Sequence, residues 1–149
     1  MITYNLIMLE NNIKEVLIIP MEWIWAKRST RWGRFNDTAE KYHNSMNQLR
    51  LLVGSNKDRI IEALINWKYQ INFFYKMPES WSLKKKKKYA LTFKSTKPDI
   101  DNSFKFFTDT LFYKTKYNDS AIFRCNCLKW YADVWEKSFI EFIFLKELK

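Results

Sequence analysis

The chain has 149 residues, a formal net charge of +10, 47% hydrophobic residues and 18% aromatic residues. That length supports one domain around one core, and that apolar content excludes a disordered chain. No apolar run reaches the ~18 residues of a membrane span; the longest, Val16 to Ala26, is broken by Pro20 and Glu22, and no basic-then-apolar leader is visible, so a cytoplasmic protein is expected.

Residues 2–9 and 13–19 are apolar-rich runs separated by Glu10-Asn11-Asn12, which predicts a β-hairpin or two short strands. Residues 20–36 form an irregular segment that interleaves Trp23, Trp25 and Trp32 with Lys27, Arg28, Arg31 and Arg34. Such a segment can grip phosphates and stack on exposed bases, or it can pack its tryptophans on the core while the charges are solvated. Asp37-Thr38-Ala39-Glu40 has the form of a capping box, and Ala39, Tyr42, Met46, Leu49 and Val53 follow at helical spacing until Gly54. His43 beside Tyr42 reads as structural. A second helix is expected over Lys57–Ile65. Trp67, Tyr69, Ile71, Phe73 and Tyr75 then alternate with Lys68, Gln70, Asn72, Phe74 and Lys76, the period of a strand with one aromatic face buried. Residues 77–97 carry Lys84, Lys85, Lys86, Lys87 and Lys88, then Lys94 and Lys97, and read as a mobile basic loop able to order on a phosphate backbone. A third helix is predicted from Asp101 to Tyr113, with Phe104, Phe107, Leu111 and Phe112 as its apolar stripe. Residues 120–130 and 137–146 are strand candidates, joined around Ala132-Asp133. There is no internal repeat and no interdomain linker, so residues 1–149 are expected to form a single domain.

Scarcity of some residue types narrows the chemistry. Two glycines, Gly33 and Gly54, are too few for a phosphate-cradling loop or a dinucleotide fingerprint, so no small-molecule cofactor is expected. A single histidine, His43, disfavours zinc sites and histidine-based nucleases. The only cysteines, Cys125 and Cys127, read as two buried thiols on one strand face in a reducing compartment.

What remains is carboxylate and lysine. Of seven aspartates, four fall between positions 99 and 119, just after the most basic stretch of a cationic chain. In Asp99-Ile100-Asp101 an extended backbone would project both carboxylates to one side, and Asp101-Asn102 falls where a helix begins. Lys105 and Asp109 follow at steps of four and share a face with Asp101; Asp119 completes the group if the chain turns over 114–118. Carboxylates packed together repel unless a cation joins them. Magnesium suits such an oxygen-only set, with manganese as the alternative, and Lys105 would add a positive charge beside a phosphate. The plainer alternative is a helix cap at Asp101 and a Lys105–Asp109 surface ion pair worth under ~1 kcal/mol.

At these residues the chain resembles the RusA family of Holliday-junction resolvases, especially its phage-type members. Lys97-Pro98-Asp99-Ile100-Asp101-Asn102 is similar to the family's Asp-x-Asp-Asn centre, with Lys105 and Asp109 at its following lysine and aspartate. Asn118-Asp119-Ser120-Ala121-Ile122 is similar to its Asp-Asp-x-x-[Ile/Val] strand start, and Lys129 falls at a basic position ten further on. Met77-Pro78-Glu79-Ser80-Trp81-Ser82 before the lysines is similar to its Pro-x-Ser-Trp-Ser-Lys-Lys loop. The match runs in order from 66 to 130; the first 60 residues match loosely.

The resemblance implies an α+β fold, a small mixed sheet packed with about three helices, and a homodimer. It also implies magnesium-dependent cutting of four-way DNA in recombination and repair. By position, Asp99, Asp101 and Asp119 would be the metal-binding carboxylates, Lys105 the assisting cation, and Asp109 an accessory that orders it. Asn118 stands where relatives carry the first aspartate of a pair, and residues 1–15 supply about one strand more than expected. The leading reading is therefore an endonuclease resolving branched DNA by paired cuts. The alternative is a protein that binds branched DNA without cutting it. Attachment to a membrane surface is disfavoured, because no long amphipathic face adjoins the lysine run.

Overall fold

The computed structural model describes residues 11–22, 24, 37–122 and 125–146, with residues 37–39 and 119 described by backbone alone. The strand expected over 2–9, the end of the chain and nearly all of the tryptophan–arginine segment, including Arg28, Arg31 and Arg34, lie outside these residues.

Strand β1 (Ile13–Pro20) is followed by helix α1 (Asp37–Val53), a 3-10 turn at Gly54–Asn56 and helix α2 (Lys57–Ile65). Strand β2 (Tyr69–Tyr75), helix α3 (Leu83–Tyr89) and helix α4 (Ile100–Phe112) come next. A second 3-10 turn, Asp119–Ala121, leads to β3 (Cys127–Tyr131) and β4 (Phe139–Leu145). The fold is α+β, and its four strands lie in the order β1-β4-β2-β3. β1 and β2 both run antiparallel to β4, while β3 runs parallel to β2, so the sheet is mixed. Residues 91–94 pair with the outer edge of β3: Leu91 and Lys94 donate to the carbonyls of Tyr131 and Lys129, and Tyr131 donates to Thr92. Edge amides that would otherwise be open for aggregation are thereby covered.

Helical periodicity explains how three helices share one sheet face. Leu49 and Val53 of α1, Ile60, Ile61 and Leu64 of α2, and Phe106, Phe107 and Leu111 of α4 are buried in one cluster. They meet Tyr69, Ile71, Phe73 and Tyr75 of β2 and Ile140, Phe142 and Phe144 of β4. Phe107 and Phe142 stack with ring centroids 5.8 Å apart. Gly54, at φ +50°, takes the left-handed conformation that stops α1 and turns the chain into α2. Among the described residues, no helix is long and apolar enough to cross a membrane.

Three local expectations are corrected. The polar residues of β2 do not face water: Gln70 and Asn72 are buried. β2 is flanked by β4 and β3, and Gln70 donates to Asn72, Asn72 to Glu141 and the Trp130 indole to Asn72, so the polar groups are satisfied by one another. Around this net, Phe74 stacks on Phe139 and Trp130 at 4.5 and 6.0 Å. Residues 120–130 are not one strand, since β3 begins only at Cys127. The cysteines are not two buried thiols: Cys125 is exposed and Cys127 half-buried, with their sulfurs 3.1 Å apart. That contact lowers the pKa of Cys125 and, with burial, raises that of Cys127.

Phe107→Ala should cost about 3–5 kcal/mol, because it removes a ring from the fully buried seam between α4 and β4. Urea unfolding measures it; a loss below about 1 kcal/mol would mean that the seam relaxes around the gap.

Candidate active site

The acidic helix is held at its first turn from below. Asp99 is the residue capping α4, in extended conformation, and its side chain makes no capping hydrogen bond. That carboxylate stands at a helix start, where negative charge is favoured. Asp101 is exposed in the first turn and accepts from the backbone amide of Asn102 at 2.9 Å. Two residues on, Ser103 is fully buried and shares a short hydrogen bond with the Tyr75 hydroxyl at the end of β2. The same hydroxyl donates to the carbonyl of Ile24 at 3.0 Å. Burial drives the Tyr75 phenol well above its ordinary pKa, so it stays a neutral donor.

The segment before α4 is braced from the sheet. The Lys129 ammonium of β3 donates to the carbonyls of Thr96 and Pro98, each at 2.7 Å. Burial lowers the pKa of Lys129 and the nearby Asp99 carboxylate raises it, which places this cation in the electrostatic reach of the helix start. Lys94 lies alongside, its ammonium on the Thr96 hydroxyl and over the rings of Tyr131 and Tyr75 at 5.0 and 5.7 Å. Its pKa is lowered by burial and then by Lys129. Farther along α4, Lys105 pairs with Asp109 at 2.7 Å, a one-turn ion pair on the solvent side. Asp109 in turn faces Tyr42 of α1, whose phenol is raised first by burial and second by this carboxylate.

Asp119 sits at the start of a 3-10 turn packed against α4, and its side chain lies outside the described atoms. The preceding Asn118 accepts from the amide of Ser120 at 3.1 Å. Among the described residues no group of three or more His, Cys, Asp or Glu side chains is arranged to hold a metal. Asp99 and Asp101 do offer the oxygen-only chemistry that a hard divalent cation takes.

The lysine run differs most from expectation. Residues 83–89, read as part of a mobile loop, form helix α3. Ser82 caps it by accepting from the amide of Lys85 at 3.2 Å, and lysine is itself a good helix former. Repulsion between lysines a turn apart opposes the helix, and an aromatic seat offsets it. Trp81 lies 5.3 Å from both Tyr89 and Tyr131, and the Lys85 ammonium covers the Trp81 ring at 4.2 Å. Lys84, Lys85, Lys87 and Lys88 stay exposed, and Lys86 is half-exposed. Tyr131 thus touches both the seat of the basic helix and Lys94 beside the acidic segment, which joins the two halves of the site. Lys97 is exposed between them.

The family model described as Endodeoxyribonuclease RusA matches residues 24–141. Neither the curated proteins nor the solved structures contain a match.

Trp81→Ala leaves the charge unchanged but removes the seat of α3. Hydrogen exchange should show Lys86 to Ala90 losing amide protection while Phe106 and Phe107 in α4 keep theirs. Unaltered protection in α3 would mean that the capped lysine helix stands without its aromatic support.

Proposed function

Since the chain belongs to the RusA endodeoxyribonuclease family, we propose that it is a magnesium-dependent nuclease that resolves four-way DNA junctions in the cytoplasm during recombination or repair. The observation that carries this reading is the juxtaposition at the start of α4: two aspartates on a segment braced by Lys129, joined through Tyr131 to a docked helix of lysines. Groups suited to a polyanion and groups suited to a cation are thereby linked through Tyr131.

The division of labour follows from the partners of each side chain. Asp99 and Asp101 would hold the magnesium ion, or manganese in its place, with Asp119 from the adjoining turn as the third carboxylate. Such an ion supplies an acidified water and positive charge for phosphate oxygens. Lys105 directs positive charge at the scissile phosphate, and Asp109 fixes its orientation through the ion pair on α4. Asn118 accepts from the turn amide of Ser120 through its side-chain oxygen and so supports the turn that carries Asp119. Lys84, Lys85, Lys87, Lys88, Lys94 and Lys97 track the phosphate backbone, with Arg28, Arg31 and Arg34 as further contacts. Lys129 serves mainly by holding Thr96 and Pro98 in place.

A junction is resolved only when two opposite strands are cut, and one chain offers one acidic cluster. We therefore assign the active unit as a two-fold homodimer, which presents two such clusters to a substrate of matching pseudo-symmetry. The sheet face that carries Phe74, Trp130 and Phe139 supports this, since Val16 and Ile18 on the same face are exposed. Binding of branched DNA without cutting is the second reading, since the exposed lysines of α3 would serve it equally well.

With labelled four-way junction, magnesium should give cleavage and chelator none, while Asp101→Asn should abolish cutting and leave junction binding equal or tighter. Cutting that survives chelator removes the metal from the proposal, and a wild-type protein that binds but never cuts leaves the second reading.

Light scattering should give about twice the 18.3 kDa chain mass at micromolar concentration, with nicks paired across the junction. A monomer that nicks once per encounter would contradict both the dimer and the resolvase assignment.

A further inference from the structure

The connection from β3 to β4 carries a large side chain, Trp135, that stands out from the described fold. In the turn Asp133–Glu136, the amide of Glu136 donates to the carbonyl of Asp133 at 3.1 Å, and the Asp133 carboxylate accepts from Val134 at 2.8 Å. The third position of this turn is Trp135, at φ +72°. Positive φ at that position normally belongs to glycine or asparagine, and a bulky side chain there is strained. Packing does not compensate, because Trp135 is 81% exposed. The largest aromatic side chain thus stands in an unfavourable conformation where it gains no burial, which is the pattern of strain kept for a contact outside the fold.

Its surroundings select the partner. Trp135 lines a cleft of about 350 Å³ with Lys76, Lys86 and Lys137 among its walls, within the range of small-ligand sites. The Lys86 ammonium, on the basic helix, lies 5.5 Å from the centre of the indole ring. Lys76 is neutralised by Glu79 at 2.7 Å. The rim is charged, with Asp133 and Glu136 beside the lysines, whereas a protein-docking patch would be contiguous and apolar. The lining balances three lysines with three carboxylates, Glu79, Asp133 and Glu136, so bulk charge does not select the partner; the exposed ring with the Lys86 ammonium beside it does, offering a π face to a base and a cation to its phosphate.

We propose that Trp135 is a stacking platform for an unpaired base at the branch of the DNA substrate, with Lys86 and Lys137 on its phosphate. The inference rests on the reading of the partner as branched DNA, and it adds how open strands are told from duplex. In paired duplex both base faces are already stacked, so the indole gains a partner only where strands separate.

Trp135→Gly suits the turn geometry and removes only the ring, so the fold should melt no lower than wild type. Binding is measured in chelator on oligo-dT, on linear duplex and on a four-way junction with 2-aminopurine at its branch. The glycine variant should bind oligo-dT and junction about tenfold more weakly, within the range of aromatic–base stacking, with duplex affinity unchanged. Trp135→Phe should stay near wild type, and the 2-aminopurine quenching seen with wild type should vanish in the glycine variant. Unchanged affinity for oligo-dT and junction, or an equal loss on duplex, would overturn the platform. Wild-type cleavage is scored separately: a protein that never cuts but discriminates through Trp135 retains the platform and loses the nuclease.

Discussion

The buried hydroxyl of Tyr75 is the point from which the acidic end of the molecule hangs. It closes β2, meets Ser103 in the first turns of α4, and donates to the backbone of Ile24, so three distant stretches of chain share one polar contact inside an apolar core. A buried hydroxyl without partners is costly, while a satisfied one fixes geometry. The aromatic seam of Phe106 and Phe107 sets how closely α4 lies on the sheet. The Tyr75 contact sets where along the sheet the helix begins, and therefore where Asp99 and Asp101 are presented. Lys129 finishes the placement from the neighbouring strand through two carbonyls.

Periodicity made much of this architecture legible. The second helix matches Lys57–Ile65, the first ends at Gly54 as its glycine suggested, and α4 runs over Ile100–Phe112 with its phenylalanines inward. The pair Lys105 and Asp109, four apart, meets as its spacing required. These features are local, and helical spacing reports them directly. β2 was harder to read, because alternation of polar and apolar residues is a sign of a half-buried strand, and here both neighbours are strands. Gln70 donates to Asn72, and Asn72 to Glu141, 69 residues away, a contact that no local pattern reveals.

The basic stretch illustrates the opposite error. Five lysines in a row carry so much charge that it masks their helix propensity, although Ser82 is a fitting cap and Trp81 and Tyr89 lie one at each end. The partner that decides the matter, Tyr131, arrives from β3. Lys129 shows the same limit: sequence gives its charge but not the carbonyls of Thr96 and Pro98 that it holds. Trp135 carries no sequence signal, because a lone tryptophan in a connection has no period and its positive φ is visible only in three dimensions.

The parallel pairing of β2 with β3 carries a consequence for how the molecule is made. The chain between these strands contains the lysine helix, the segment that borders β3 and the whole of α4. Closing so long a loop is entropically expensive and is repaid only once the two strands pair. During synthesis the aspartates leave the ribosome before the strand that braces them. Strand β4 follows later still and must enter between β1 and β2, so the sheet closes only after the aspartates, their brace and this strand have all been made. The basic helix and the acidic segment are thus both synthesised before the strand that seats them, through Tyr131 for the one and Lys129 for the other.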